Sequence, residues 1–192
     1  MSLDISPLLE SWDYQPGKLQ VRSFRAKDGT DKIQLRIDLG VMQMNASGRP
    51  DGRRPFGRDS LLDHLEERAE KAGGDFKLTT EEVGKLSQEA VQFHHRYICW
   101  FQMSEYRRVI EDAEHNMELF AFATEHTPAQ ELLNPMRVIM PQLLMLHTRS
   151  RASLAIDAKE PRRRRGGGRG GRGGHRDLFP RAEPPGAGRA QR

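Results

Sequence analysis

A chain of 192 residues with a hydrophobic share of 36% is long enough for one ordinary domain plus an appendage. Net charge is +4, but residues 161–192 carry +8 and the remainder −4, so the part able to fold is mildly acidic. Cys99 is the only cysteine, which excludes an intramolecular disulfide and any multi-cysteine metal centre and fits a cytoplasmic protein. The chain offers no apolar run long enough for a transmembrane helix and no signal-peptide pattern at its start, so no membrane association is expected.

The first patterned segment is KLQVRSFR, followed by AKDGTD and KIQLRIDLGVMQM. Ile33, Leu35, Ile37, Leu39 and Val41 alternate strictly, the period of a long half-buried strand. With Asp28-Gly29 between the runs, an antiparallel hairpin is predicted, its odd-numbered face against helices. Gln20, Arg22, Lys32, Gln34, Arg36 and Asp38 then form a polar strip, read as solvated surface.

Residues 45–59, NASGRPDGRRPFGRD, read as a loop. Its Arg49, Arg53, Arg54 and Arg58 could cradle phosphate, yet no P-loop lysine or dinucleotide fingerprint accompanies them, and a plain surface loop is the simpler reading.

Ser60 opens a capped helix with an apolar stripe of Leu61, Leu62, Leu65 and Ala69, ended by Gly73-Gly74. Thr79 and Glu82 have the spacing of a capping box ahead of a longer helix running to about Met103, whose buried face should hold Leu86, Ala90, Phe93, Tyr97, Ile98 and Phe101. A further helix should run through MRVIMPQLLMLHTRSRASLAIDAKE, its uninterrupted part being residues 141–159 because Pro135 and Pro141 restrict where it starts.

Residues 97–120, YICWFQMSEYRRVIEDAEHNMELF, resemble the end of the first helix, the turn and the second helix of a tetratricopeptide repeat. Tyr106 falls on the turn-proximal aromatic, and Val109-Ile110 on the usual Ala-Ile step; Ser104 stands where Gly is usual and Asn116 where a small residue is preferred. The ending SRASLAIDAKE resembles a first repeat helix whose partner is missing. Residues 1–160 as a whole are similar to a family of uncharacterised bacterial proteins named for the UVR motif, the helical hairpin shared by UvrB and UvrC. The segments carrying this are SPLLESWDYQPG, KIQLRIDLGVMQMNASGRPDGRRPFG and FHHRYICWFQMSEY, while the UVR hairpin itself is absent. The resemblance implies no catalytic residues.

Other clusters point to little chemistry. His94, His95 and Cys99 come closest to a ligand set, but His64, His115, His126 and His147 lack metal-site spacing, so neither metal nor cofactor is expected. Met136, Met140 and Met145 suit a core, or a groove for a partner helix if the missing repeat helix leaves a face uncovered. No nucleophile with its base is recognisable, so the protein is read as a non-enzyme.

The tail at 161–192 holds ten Arg and nine Gly and is expected to be disordered. Arg162, Arg163, Arg164, Arg165, Arg169 and Arg172 in Arg-Gly context are candidates for single-stranded RNA or DNA. An out-of-frame or truncated ending would have the same composition, because Arg, Gly, Pro and Ala share GC-rich codons. The expected organisation is therefore α+β, mainly α: a hairpin and basic loop at 1–59, a tetratricopeptide-like helical region at 60–160 and the tail at 161–192. The expected function is a helical scaffold binding a protein or peptide through Tyr97, Phe101 and Tyr106, with nucleic-acid binding through the tail as the alternative.

Overall fold

The alternation over residues 20–45 produces three strands: β1 (Gln20–Arg25), β2 (Asp31–Ile37) and β3 (Gly40–Asn45), antiparallel in the order β1-β2-β3. The computed structural model describes residues 4–159. The Asp28 side chain accepts from both the amide and the hydroxyl of Thr30, at 2.9 and 2.6 Å, and Gly29 takes a φ of 80°, closing the β1–β2 turn. The single strand expected across 33–41 is broken at Asp38-Leu39, where the chain reverses and Ile37 pairs with Gly40. Alternation specifies extended backbone but not its direction, so a two-residue turn left the pattern intact. Beyond the turn the odd positions no longer share a face: Val41 lies opposite Arg36, and Ile37 and Leu39 are 41% and 89% exposed.

The even-numbered face of β2 is also not the solvated strip expected, because Gln34 and Arg36 are buried. A short helix α1 (Ser6–Glu10), unforeseen in the sequence pattern, begins a strap that crosses this face. Gln20 ties the strap down by accepting from Gln15 N and donating to Asp13 O, both at 2.8 Å. Trp12 lies 4.1 Å from the Arg22 guanidinium carbon, and Tyr14 lies 5.7 Å from that of Arg36. Arg22 donates to Gln34, which donates to Gln43, each at 2.8 Å, so one polar ladder crosses all three strands. Arg36 donates to the carbonyls of Trp12 (2.8 Å), Gly40 (3.0 Å), Asp38 (3.1 Å) and Ile37.

Ser60 caps α2 (Leu61–Ala72) as expected, with Asp63 returning the bond to complete a capping box, and the box of Thr79 with Glu82 forms as spaced and starts α3 (Thr80–Gln102). Ser104 takes the left-handed φ of 62° in the turn to α4 (Tyr106–His126), the conformation that explains why Gly is usual there. Asn116 donates to Ala90 O at 2.9 Å, and Asp112 meets Arg96, so α3 and α4 run antiparallel. The last helix, α5 (Asn134–Lys159), runs through the expected segment and continues unbroken past Pro141, so its uninterrupted part begins about two turns before the expected 141. Pro135 occupies the first turn, where no amide donor is needed, and Pro141 sits inside the helix at the loss of one backbone bond.

Two apolar clusters fill the body. In one, Leu61, Leu62 and Leu65 of α2 pack with Leu86 and Ala90 of α3, Leu119 and Ala123 of α4, and Met136 of α5. In the other, Ile33, Leu35 and Met44 of the sheet pack with Tyr97 and Trp100 of α3, Val109 and Ala113 of α4, and Leu143 and Leu146 of α5. The helical pair is thus covered by the sheet and α5. No helix among the described residues is long and apolar enough to cross a membrane.

Candidate functional site

The loop at 45–59 is held to the helices by buried charge. Gly52 closes its first turn with a φ of 74°, where a Cβ would stand 2.6 Å from Asn45 Nδ2. Arg49 reaches inward to Glu89 at 2.8 Å and also meets Asp51, while Arg54 pairs with Asp59 and Arg58 with Glu67; Arg53 is exposed. Three of the four loop arginines are therefore matched by carboxylates rather than gathered for a phosphate. Glu89 is fully buried and also accepts from the first amides of α2, Leu61 N at 2.9 Å and Leu62 N at 3.4 Å. It acts as a fixed anion at the positive end of that helix.

Arg96 forms the second anchor. It pairs two-pronged with Asp112, at 2.9 and 2.6 Å, and donates to the carbonyls of Asn45 (3.0 Å) and Gly48 (2.6 Å). Burial pushes the Asp112 carboxyl above the usual carboxylate range, and the Arg96 guanidinium pulls the other way.

Above these anchors opens a cleft of about 660 Å³ between the 46–48 loop, the start of α2 and the facing surfaces of α3 and α4. Trp100 and Arg108 form a ledge on its wall: the guanidinium lies 4.5 Å from the indole centroid and donates to Ala46 O at 3.2 Å. His115 lies on the opposite side, stacked on Phe93 with ring centroids 4.0 Å apart and Nε2 3.4 Å from Glu89. Arg107 and Glu111 stand exposed at the mouth. A second hollow of about 340 Å³, reaching Arg25 and Asp31 of the sheet, shares Ala46, Trp100, Glu105 and Arg108 with the first, so the two are neighbours across the Trp100–Arg108 ledge.

The partner-binding residues expected from the sequence lie elsewhere. Tyr97 is 0% exposed and cannot present a surface; it is a core residue whose hydroxyl meets His94 Nδ1 at 2.6 Å. Phe101 and Tyr106 do come together across the α3–α4 turn, edge to face at 5.9 Å, and Arg149 of α5 lies 5.3 Å from the Phe101 ring. Neither lines the cleft. His94 is held down to about 4, first by burial and then by neighbouring His95, and burial pushes the Cys99 thiol up to about 12. Among the described residues no group of three His, Cys, Asp or Glu side chains is placed to hold a metal ion. The candidate nucleic-acid residues Arg162, Arg163, Arg164, Arg165, Arg169 and Arg172 lie outside the described residues, as does the rest of the tail.

Trp100, Arg108 and the buried anchors were missed in the sequence. Their signal is the interruption of an apolar stripe: Glu89 and Arg96 stand among the buried positions of α3, and Asp112 and Asn116 among those of α4. Compared with known proteins, the chain matches no family model, no curated protein and no solved structure.

Proposed function

We propose that residues 4–159 form a cytoplasmic protein-binding module, without catalytic activity, whose groove takes an extended segment of a partner protein. The observation that carries this reading is the adjacency of the two hollows on either side of the Trp100–Arg108 ledge that both share. A groove that is long, open and lined by charges of both signs suits a chain better than a compact small molecule. Its floor is preorganised by Arg96 and Glu89, so little ordering is needed when a ligand docks. The resemblance to the UVR-motif family remains part of this proposal and adds no catalytic residue to it.

Peptides selected from a displayed random library should perturb Trp100 fluorescence in a Trp12→Phe background. Arg108→Ala and Arg107→Glu should weaken them at least tenfold while circular dichroism stays unchanged. Selected peptides that ignore both variants would remove the groove from consideration.

A second reading rests on the charge split of +8 in residues 161–192 against −4 elsewhere: single-stranded RNA bound by the arginines of that segment. Its affinity would fall steeply with salt and vanish on deleting 161–192. RNA binding that survives the deletion would refute it.

A further inference from the structure

The outer face of α5 is apolar without being covered. Val138 and Ile156 are 79% and 60% exposed, Leu144 and Met145 48% and 44%. Val138, Pro141, Met145, Thr148, Ala152 and Ala155 follow one another at alternating steps of three and four, the spacing of a seam that meets another helix. The inner face, through Met136, Leu143, Leu146 and Ser150, is already spent on the core. Beyond Ser150 no residue of α5 is buried, so its last nine residues, roughly 14 Å at 1.5 Å per residue, have no buried position of their own.

We infer that α5 pairs antiparallel with α5 of a second copy of this chain, about a two-fold axis between Leu146 and His147. The face is graded in size, with large side chains in its first half (Val138, Pro141, Met145) and small ones in its second (Thr148, Ala152, Ala155). A two-fold antiparallel pairing sets large against small throughout: Val138 on the partner copy's small residue 155, Pro141 on 152, Met145 on 148. A parallel pairing would oppose Met to Met and leave gaps between alanines.

Charge is compatible with the same register. Arg137 comes opposite Ile156, and Arg149 and Arg151 come opposite Leu144 and Gln142, so none of these arginines meets like charge. Pairing along the 18 residues from Val138 to Ala155, about 27 Å of helix at 1.5 Å per residue, brings the interface to the same order of magnitude as the roughly 800 Å² per partner of a stable complex. The 33 residues that follow Lys159 in this chain are a poorer occupant, since Leu178 and Phe179 are their only large apolar side chains.

The test is the mass of the full chain in solution by sedimentation over about 1 to 100 μM, range chosen to bracket a moderate affinity. A dimer is expected, and Val138→Glu with Met145→Glu should weaken it at least tenfold with helicity unchanged, since both residues are exposed. Singly substituted Val138→Cys and Ala155→Cys proteins should cross-link to each other in a mixture faster than either does to itself.

A monomer throughout, a dimer indifferent to the double substitution, or faster cross-linking between like positions would each overturn the pairing. A full chain that dimerises only after deletion of 161–192 would assign the face to the chain's own tail and overturn it as well.

Discussion

Two buried arginines organise two regions of this protein, and they do so with different partners. On the outer face of the sheet, Arg36 is 7% exposed and its recorded hydrogen bonds all go to backbone carbonyls, of Trp12, Ile37, Asp38 and Gly40. At the loop–helix junction, Arg96 is 4% exposed and meets the Asp112 carboxylate as well as two carbonyls. Both tie an irregular segment to a regular one, the strap to β2 and the 45–48 loop to α3. Carbonyl dipoles can hold a guanidinium at the edge of the body, where water is near. In the interior a full counter-charge is needed, and that makes the pair costly to halve.

The contrast has measurable consequences. Asp112→Ala leaves Arg96 buried without its counter-charge and should destabilise by about 3–5 kcal/mol in urea unfolding. Replacing both residues together, Arg96→Met with Asp112→Leu, should cost clearly less than the two single changes added. Arg36→Ala removes the donor for four carbonyls that can partly rehydrate, so a smaller loss of about 1–3 kcal/mol is expected. In that variant limited proteolysis should cut first within residues 4–19, and Trp12 emission should shift to the red. If Arg36→Ala proved as costly as Asp112→Ala, the distinction between dipole-held and charge-held arginines would fail.

Acid should act on the half-buried imidazole of His94, on the same helix as Arg96. His94 sits at about 4 in the folded protein against its ordinary 6.5, so the unfolded chain takes up the proton first, and stability falls as pH drops from about 6.5 towards 4. His95, also lowered by burial, adds in the same sense; the raised Asp112 carboxyl opposes it, because there the folded state takes up the proton first. Relative to a His94→Gln variant, the parent should lose on the order of 1 kcal/mol between pH 7 and 4.5, after allowing for solvent screening of a half-exposed ring. A parent and variant with superimposable pH–stability curves would contradict this assignment. The smallest effect belongs to Ile37→Asp, which should change stability by no more than about 0.5 kcal/mol, because the β2–β3 turn leaves that side chain at the exposed end of the sheet.

Much of the architecture was legible because it rests on local signals. The cap at Ser60, the capping box at Thr79 and the turn at Asp28-Gly29 are written in contiguous residues, and each formed as expected. The β2–β3 turn was hidden because Asp38-Leu39 continues the alternation, and the continuity of α5 across Pro141 because a proline inside a helix cannot be told from one that ends it. The cleft was illegible for a different reason. Trp100, Arg108 and Ala46 are brought together by Arg96 and Glu89, whose partners lie 16 to 51 residues away, and no periodicity reports such pairings. Burial of Tyr97 is the mirror case: an aromatic beside a helical turn reads as a docking residue until the sheet is packed against it.

The sharing of one apolar cluster by the sheet and α5 also sets an order of events during synthesis. Ile33, Leu35 and Met44 are made about a hundred residues before Leu143 and Leu146, which at some 5–20 residues per second is a delay of roughly 5 to 20 s. The α3–α4 hairpin, closed by a three-residue turn, can assemble as it leaves the ribosome, but the three strands must wait for α3 and α4, and for α5 to complete the cluster, before their inner face is fully packed. For that interval the nascent chain carries two open strand edges and a bare aliphatic face, which makes the newly made amino-terminal third the part most in need of a chaperone.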